Sequence, residues 1–487
     1  NFQRKGQNED LYTANADITS VRAVLAASVA PKWNVKVIDV KTAFLNAHLP
    51  DSMETVYVRP PQALVEFGLV APGTIWRAVK AIYGLRISPK AWGVERDKEL
   101  RRKTIIHNGV KHIFLQSHID PSVWSIVPGD LDKSGIGRPT RSSYVPKGAG
   151  MQTVGWIVVY VDDFLIVGSD EVIDAATAAI KTKWRLTDKP TVQFGSSRSV
   201  EYLSVDIKAV PNGFFLSQPA YTSDLLAKWS MDECKALGSL DDVPNVPEQD
   251  GEPDPEEVRQ AQRIAGGLNW LATRTRPDIA FLVSQLASAA TRCPERALAL
   301  GKRCLRYLAG TRDHGVALTV DHKLRAQGRG HCGKLEAYGD ASYEEGWSQT
   351  GVLVKFEGMT ISWKSTKQIQ VPRSTAESEV TAMAYTAQFL EGIEALYHSM
   401  FVPIETPVLY CDNRAAGHLL SGSNEWRTKA LVNRVLGVKS LVELGQLTVE
   451  FKATAEMQAD LLTKFMAAGI LRRQRQLLGC VPLHYLQ

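Results

Sequence analysis

The chain has 487 residues, of which 44% are hydrophobic and 22% are charged, a composition typical of a globular protein with about two to four domains. Its six cysteines include no C-x-x-C pair, which argues against a zinc site or a disulfide framework and favours a reduced, intracellular protein. No window is long and apolar enough to predict a membrane span. The net charge of +5 permits a polyanionic partner without requiring one.

The first part of the chain predicts strands, helices and one hairpin. Residues 31–59 alternate as strands do, and residues 88–103 predict a helix. The Gly-, Pro- and Ser-rich stretch 128–151 predicts an inserted loop. The apolar run 156–168 then predicts a hairpin, and the Ala-rich segment 172–183 predicts a helix.

The later elements follow an acidic, proline-rich segment at 238–257, which predicts an exposed linker. Beyond it, residues 259–308 have helical periodicity that Pro277 interrupts. The last third alternates strands with helices, which predicts a compact mixed α/β domain. A long helix is predicted over 376–400 and another is predicted to begin at 455–460.

Two adjacent aspartates interrupt the apolar run WIVVYVDDFLIVG. Asp162 and Asp163 could simply form the hairpin turn, because Asp favours turns. They could also bind metal, since two carboxylates about 4 Å apart repel by about 4 kcal/mol at an effective dielectric of about 20, and a divalent cation would reverse that cost. Asp39 ends the strand KVIDV in the same way. If the two strands are neighbours in one sheet, the three acids reach one end and suit two Mg²⁺ ions that share substrate phosphates.

Several segments, in order, resemble one known family. VIDVKTAFLN, AIYGLRISPKAWG and VVYVDDFLIVGS resemble the reverse transcriptase of copia-type long-terminal-repeat retrotransposons. TRPDIAFLVSQLA, SWKSTKQIQVPRSTAESE, YCDNRAA and ADLLTK resemble the ribonuclease H that follows it in the Pol polyproteins of such elements. The ordered series extends over residues 1–464 and is far more specific than YVDD alone.

The resemblance implies a multidomain fold of α+β and α/β units. A right-hand polymerase of fingers, palm and thumb, with an antiparallel sheet in the palm, would precede a ribonuclease H-like domain with a mixed sheet. The expected boundaries are 1–215 for N-terminally truncated fingers and palm, 216–332 for thumb or connection, 333–466 for the ribonuclease H-like domain and 467–487 for a C-terminal tail.

The resemblance also assigns roles around the first acidic set. It implies that Asp39, Asp162 and Asp163 are catalytic and bind metal. Phe44 is implied to lie beneath the incoming sugar, where its ring would exclude a ribose 2′-hydroxyl, although its residue type alone suits a core aromatic. The resemblance also implies that Tyr83, Gly84, Pro89 and Tyr160 bind template or nucleotide. For Tyr83, Gly84 and Pro89, the alternative is a plain turn before a helix.

A second acidic set lies in the last third. Asp340 lies in a strand, Asp412 ends another and Asp460 begins a predicted helix, so their carboxylates can converge on two metal ions. Each acid alone suits a turn or a helix cap. In STAESE, the pattern S-x-x-E ending at Glu377 fits a capping box, which favours Glu379 as the fourth catalytic and metal-binding residue. Glu377 stays open as a ligand and is kept as a substrate-binding candidate.

The implied function is RNA-directed DNA synthesis together with ribonuclease H activity, each by a two-metal-ion mechanism. The expected cofactor is Mg²⁺, two ions per active site, with Mn²⁺ as the alternative. The expected partners are an RNA template, a DNA primer, an RNA:DNA hybrid and deoxynucleoside triphosphates, without a membrane and with an undetermined oligomeric state. The expected location is intracellular, in cytoplasmic particles, with the nucleus as a further site.

Two predicted helices are rich in basic residues. Such runs are usually solvated faces, but near a nucleic-acid site they would neutralise phosphates and make affinity salt-dependent. The residues are Arg96, Lys98, Arg101, Arg102 and Lys103 in one helix, and Lys302, Arg303, Arg306 and Arg312 in the other.

Three departures from the family pattern bear on activity. The fingers segment that helps to bind the triphosphate would lie upstream of Asn1. Ser204 replaces a glycine, which strains a tight turn if its φ is positive. Ala430 and Val432 stand where polar residues are usual in the family. A catalytically silent, divergent remnant that only binds nucleic acid is therefore an alternative, as are an RNA-synthesising polymerase and activity of the second half alone.

Overall fold

The computed structural model describes residues 13–50, 55–139, 153–241, 252–320, 332–344, 347–412 and 429–487, with the backbone alone for 429–434. The architecture is mixed α/β. The strands are β1 Asn34–Val40, β2 Tyr57–Val58, β3 Trp76–Arg77, β4 Thr104–His107, β5 Val110–Gln116, β6 Val123–Leu131, β7 Gly137–Pro139, β8 Gly155–Tyr160, β9 Asp163–Gly168, β10 Leu186–Asp188, β11 Ser199–Tyr202, β12 Val205–Val210, β13 Gly213–Ser217, β14 His314–Thr319, β15 Leu335–Glu344, β16 Trp347–Phe356, β17 Met359–Lys367, β18 Val408–Cys411, β19 Thr448–Phe451 and β20 Cys480–Pro482.

The α-helices vary from 5 to 25 residues in length. None of those in the described ranges has both the length and the apolar character needed to cross a membrane. The helices are α1 Ile18–Val29, α2 Gln62–Glu66, α3 Ser88–Leu100, α4 Asp170–Lys181, α5 Pro219–Lys228, α6 Pro255–Arg274, α7 Ala280–Ala289, α8 Pro294–Ala309, α9 Thr375–Ser399, α10 Lys429–Glu443 and α11 Ala468–Leu477.

The chain forms two compact units, and the first takes the described residues of Asn1–Ala16, Val35–Tyr144 and Gln152–Thr191. Its main sheet has the strand order β10-β1-β9-β8-β6-β5-β4, with β7 paired to β6. Apolar side chains from α3 and α4 pack with alternate residues of the strands into a core on one face of this sheet. Because β1 and β9 are neighbours in the sheet, the strands that carry the first acidic set lie side by side.

The second unit takes the described residues of Asp17–Asn34 and Val192–Gln487 and contains two five-stranded sheets. One is antiparallel, with the order β11-β12-β13-β14-β20, so the last strand of the chain pairs with β14. The other has the order β17-β16-β15-β18-β19 and is mixed: β15, β16 and β17 are antiparallel, whereas β18 runs parallel to both β15 and β19. Helix α9 packs against β15.

A buried ion pair joins the turn before α7 to the C-terminal strand. Arg276 donates through Nε and Nη2 to the two carboxylate oxygens of Asp278, at 2.9 and 2.8 Å. Tyr307 of α8 donates to the same carboxylate at 2.7 Å, and the Cys480 thiol of β20 lies 3.4 Å from it. Both charged residues are at most 2% exposed. Loss of either partner alone would leave a buried, uncompensated charge and would therefore destabilise the junction of these elements.

Helix α1 belongs to the second unit, although it lies near the start of the chain. Asp17 caps it by accepting the backbone N–H of Thr19 at 2.7 Å. The buried Arg22 guanidinium stacks 3.8 Å above the Trp363 ring. It also donates to two backbone carbonyls at the C-terminal end of α6, at 3.1 and 3.0 Å, where helix carbonyls lack partners of their own. These contacts bind α1 to elements more than 200 residues later in the chain.

The structure confirms most of the predicted helices. The helices predicted at 88–103, 172–183 and 376–400 correspond to α3, α4 and α9. The periodic stretch 259–308 is divided at Pro277 into α6 and α7, as predicted, and a second break at 290–293, which was not predicted, separates α7 from α8. Pro277 lies in a 3₁₀ turn, as expected for a residue that cannot continue a helix.

Two predicted elements are wrong. The stretch 128–151 was predicted as a loop, but residues 128–139 continue β6 and turn into β7, with Gly135 at φ +71° in the turn. The residues after 139, up to 152, lie outside the described part of the chain, as do residues 242–251 of the predicted linker. No long helix begins at 455–460; instead there are short 3₁₀ turns at Thr454–Glu456 and Gln458–Leu462, where consecutive apolar side chains are buried rather than one helical face.

The hairpin of β11 and β12 has a strained turn. Leu203 and Ser204 have φ angles of +54° and +58°, so the condition under which Ser204 strains this turn is met. This left-handed conformation costs roughly 1–2 kcal/mol per residue that carries a Cβ atom. The carbonyl of Ser204 accepts a hydrogen bond from the Gln218 side chain at 3.0 Å, which helps to hold the turn.

We expect Ser204→Gly to raise the free energy of unfolding by roughly 0.5–1 kcal/mol, because glycine adopts positive φ without steric cost. The carbonyl that Gln218 contacts is unchanged. A urea titration followed by tryptophan fluorescence measures the effect. Ser204→Ala is the matched control, since it keeps the Cβ atom and should give no gain. Equal stability of the glycine and alanine variants would contradict the strain.

Candidate active sites

The first acidic set lies at one end of the eight-stranded sheet. Asp39 is in β1, Asp162 is in the two-residue turn between β8 and β9, and Asp163 opens β9 and pairs with Tyr160. The backbone N–H of Val40 donates to the Asp162 carbonyl at 2.9 Å. The backbone therefore brings these acids to adjacent positions on a rigid sheet.

Asp39 and Asp162 of this set interact electrostatically. Burial, and then the negative charge of Asp39, raise the pKa of Asp162. Within the described ranges, the carboxylate oxygens of Asp39, Asp162 and Asp163 do not all lie within 4.8 Å of one another. A divalent cation would relieve this repulsion, because it favours the ionised form of every nearby carboxylate.

Two of the aromatic residues that the resemblance assigns to this site contact each other. Phe44, in the 3₁₀ turn Ala43–Asn46, is half-buried and packs against Tyr83 with ring centroids 4.9 Å apart. Tyr83 is exposed, and Gly84 has φ +93°, a conformation that favours glycine. Pro89 lies in the first turn of α3, where its carbonyl accepts from the Thr13 hydroxyl at 3.2 Å. Phe44 and Tyr83 thus form one aromatic contact, whereas Gly84 and Pro89 occupy a turn and a helix start.

The second acidic set forms a compact cluster. Asp340 lies in β15, Asp412 directly follows the neighbouring parallel strand β18, and Asp460 lies in the 3₁₀ turn Gln458–Leu462. Each offers one oxygen, and these oxygens lie within 4.8 Å of one another. Asp340 and Asp460 are buried and Asp412 is half-buried. Because carboxylate oxygens are the usual ligands of hard divalent cations, this group could hold a metal ion.

The two glutamates at the start of α9 have different surroundings. Burial, and then the charges of Asp340 and Asp412, raise the pKa of Glu379 to about 9. Glu377 instead caps the helix: its backbone N–H donates to the Ser374 hydroxyl at 3.2 Å. Its carboxylate accepts the backbone N–H of Arg373 at 2.8 Å. Glu379 is therefore the glutamate whose pKa responds to the charges of the cluster.

Lys464 and two threonines contact the cluster and were not predicted from the sequence. The Lys464 ammonium lies 3.0 Å from Asp460, and the Thr463 hydroxyl donates to the Asp340 carboxylate. The Thr454 hydroxyl donates to the carboxylate of Asp412 at 3.0 Å. The four-residue spacing of Asp and Lys in ADLLTK is the signal that could have identified the ion pair.

The electrostatics of the cluster suit a cation. Burial, and then the charge of Asp460, raise the pKa of Asp340. Burial also raises the pKa of Asp460, although Lys464 opposes this shift. Carboxylates with raised pKa values retain protons, and a metal ion must displace those protons when it binds. The donor set therefore fits a divalent ion whose binding depends on pH.

Three residues of the two basic helices predicted from the sequence make contacts within the fold. Arg96 is only 1% exposed and contacts Asp97, so it fits neither of the two alternatives, a solvated face or a phosphate contact. Arg306 and Arg312 donate to backbone carbonyls of Lys235 and Asp232 at 2.9 and 2.8 Å. Their guanidinium groups link the end of α8 to the segment after α5.

An antiparallel sheet with acids at one end and helices on its face fits the reverse transcriptase class. Residues 3–120 match the family model described as reverse transcriptase (RNA-dependent DNA polymerase), a stretch that includes Asp39 and ends before Asp162. The chain is 31% identical to the retrovirus-related Pol polyprotein from transposon RE2 and 30% identical to that from transposon RE1, both of Arabidopsis thaliana, over 96% and 92% of its length. It is 24% identical, over 98% of its length, to the Pol polyprotein from transposon TNT 1-94 of Nicotiana tabacum. The chain belongs to the family of copia-type, retrovirus-related Pol polyproteins.

The chain spans about a third or less of the length of these relatives. It covers 29% of the RE2 polyprotein, 27% of the RE1 polyprotein and 33% of the TNT 1-94 polyprotein. Functions of whole polyproteins are therefore a matter of proposal for this chain.

We expect metal-free protein to lose stability as pH rises from about 4 to about 9, because acids with raised pKa values bind more protons in the folded than in the unfolded state over that window. The stabilisation from Asp340, Asp460 and Glu379 is fully present below about pH 4 and is lost as each group ionises. Mg²⁺ should therefore raise the Tm more at about pH 8 than at about pH 5.5, where protons compete with it.

Thermal unfolding in EDTA and in Mg²⁺ across this range measures both effects. In Asp340→Asn, which removes one of the repelling charges, both the loss of stability with pH and the gain from Mg²⁺ should be smaller. An unchanged response in this variant would show that the pH dependence arises elsewhere.

Proposed function

We propose that the chain is an RNA-directed DNA polymerase. The observation that carries the proposal is the position of Asp39, Asp162 and Asp163 at one end of an antiparallel sheet, in a chain of the reverse transcriptase family. Two Mg²⁺ ions bound by these carboxylates would activate the primer 3′-hydroxyl and neutralise the triphosphate. The protein contributes rigid strand ends, which hold the carboxylates while template, primer and nucleotide bind.

The proposed nucleotide substrate is a deoxynucleoside triphosphate. Phe44 supports this choice, because its half-buried ring is held by contact with Tyr83 and by the core. A ring fixed in this way beneath a sugar would leave no room for a 2′-hydroxyl. The proposed partners are therefore an RNA template, a DNA primer and deoxynucleotides, recognised without base-specific readout because any sequence must be copied.

We propose ribonuclease H activity as a second function of the same chain. Its support is the acidic cluster of Asp340, Asp412 and Asp460 beside a mixed five-stranded sheet, together with Glu379, whose pKa the charges of Asp340 and Asp412 raise. Divalent cations at this cluster would supply a nucleophile and stabilise the leaving oxygen of the cut RNA strand. Lys464 would balance the negative charge of the cluster from the protein side. The fingers, palm, thumb and ribonuclease H boundaries predicted from the sequence belong to this proposal.

For the polymerase, the test is extension of a DNA primer on an RNA template with Mg²⁺ and deoxynucleotides. We expect Asp162→Asn to lower the extension rate at least about 100-fold, because it removes a metal-binding charge. Asp174→Asn is the control: it makes the same change at an exposed position in α4 and should extend like the parent. If the parent does not extend but still binds hybrid, the chain is the silent nucleic-acid-binding remnant.

For the ribonuclease H, the test is cleavage of labelled RNA in an RNA:DNA hybrid by the full chain. We expect Asp412→Asn to abolish cleavage and to leave primer extension intact, and Asp162→Asn to do the reverse. Glu450→Gln, at an exposed position of the adjacent strand β19, is the control and should cleave normally. Cleavage that persists in Asp412→Asn would refute the assignment of this cluster.

A further inference from the structure

The turn that carries Asp162 is strained at its first residue. Val161 has φ +51° in the two-residue connection between β8 and β9. A positive φ is a genuine outlier for a β-branched residue, because its Cβ substituents crowd the backbone. Strain of this kind costs of order 1–3 kcal/mol and persists only where the surroundings hold it.

Two buried side chains hold the strained residue by its carbonyl. The indole N–H of Trp92 donates to the Val161 carbonyl at 2.7 Å, and Arg96 donates to the same oxygen at 3.4 Å. Both residues lie one turn apart on α3, and they are 0% and 1% exposed. Asp97 in turn orients Arg96 through contacts of 2.8 and 2.9 Å. A neutral and a charged donor therefore converge on a single carbonyl.

These bonds bear directly on Asp162. The Val161 carbonyl belongs to the peptide group that precedes Asp162, and the Asp162 carbonyl belongs to the peptide group that follows it. The latter accepts the N–H of Val40, the residue after Asp39, at 2.9 Å. Because the peptide groups on both sides of Asp162 are anchored, the direction in which its carboxylate leaves the backbone is determined by these contacts.

We propose that Trp92 and Arg96 are positioning residues of the polymerase site: they hold the strained Val161 carbonyl and thereby direct the carboxylates of Asp162 and Asp163. The inference rests on the proposed polymerase function. Neither residue needs to touch substrate, and neither was singled out for this purpose by residue type. Both residues act on Asp162 through the peptide group that joins Val161 to Asp162.

Trp184 provides a matched control. It is 3% exposed, and its ring lies against Trp92 with centroids 5.1 Å apart in an edge-to-face contact. Within the described residues its indole N–H has no hydrogen-bond partner. Trp92→Phe and Trp184→Phe therefore remove the same atoms from the same core, but only the first removes a bond to Val161.

The test is steady-state primer extension by the full chain and its variants. We expect Trp92→Phe to lower kcat about ten-fold with the KM for primer–template unchanged, and Trp184→Phe to stay within about two-fold of the parent. Adding Val161→Gly to Trp92→Phe should restore most of the lost kcat, since glycine adopts φ +51° without the bond. Arg96→Lys should give a smaller loss, also rescued by Val161→Gly, because its contact is longer.

Hydrogen exchange followed by mass spectrometry gives a readout that does not depend on activity. Amides of the turn between β8 and β9 should exchange faster in Trp92→Phe than in Trp184→Phe, and Val161→Gly should reduce that difference. Equal kcat losses in the two tryptophan variants, or no rescue by Val161→Gly, would overturn the proposal. A parent chain that does not extend primers would refute the polymerase function instead, and the exchange experiment would still test the bond to Val161.

Discussion

Repulsion between carboxylates that the fold holds close together is the constraint on which both candidate sites depend. Strands supply rigid positions, but they also keep like charges close together in a medium of reduced dielectric, where each disfavours the ionisation of the others. In the second unit, Lys464 and the threonine hydroxyls contact the acidic cluster and oppose this repulsion. In the first unit, hydrogen bonds to the backbone hold Asp162 in place: the Val161 carbonyl accepts from Trp92, and the Asp162 carbonyl accepts from Val40.

Much of this arrangement could be predicted from the sequence, because the relevant signals are local. Asp39 and Asp412 each end a short run of β-branched and aromatic residues, which identifies the end of a strand. The capping pattern at Ser374 predicted the local contact of Glu377 at the start of α9, since that contact depends only on residues three apart. Proline at position 277 likewise divided the helical stretch where the structure divides it.

Long-range packing accounts for what could not be predicted. The hairpin of β6 and β7 has a loop-like composition, and its pairing is visible only once the partner strand is known. The role of Trp92 depends on a carbonyl 69 positions later in the chain, and a buried tryptophan is by itself an ordinary core residue. Arg96 was mistaken for a surface charge because a helical run of basic residues is normally solvated, whereas its guanidinium here is buried against Asp97.

The membership of α1 in the second unit has a consequence for biosynthesis. The Tyr397 hydroxyl donates to the Ala23 carbonyl across 374 positions of sequence, and β20 closes its sheet only at the end of the described chain. At a synthesis rate of about 5–20 residues per second, α1 leaves the ribosome about 20–75 s before Tyr397 is made. The first unit, whose residues all lie within the first 191 positions, can fold during this interval. The apolar surface of α1 stays without its native partners throughout, so the nascent chain is most prone to aggregate while its second half is being translated.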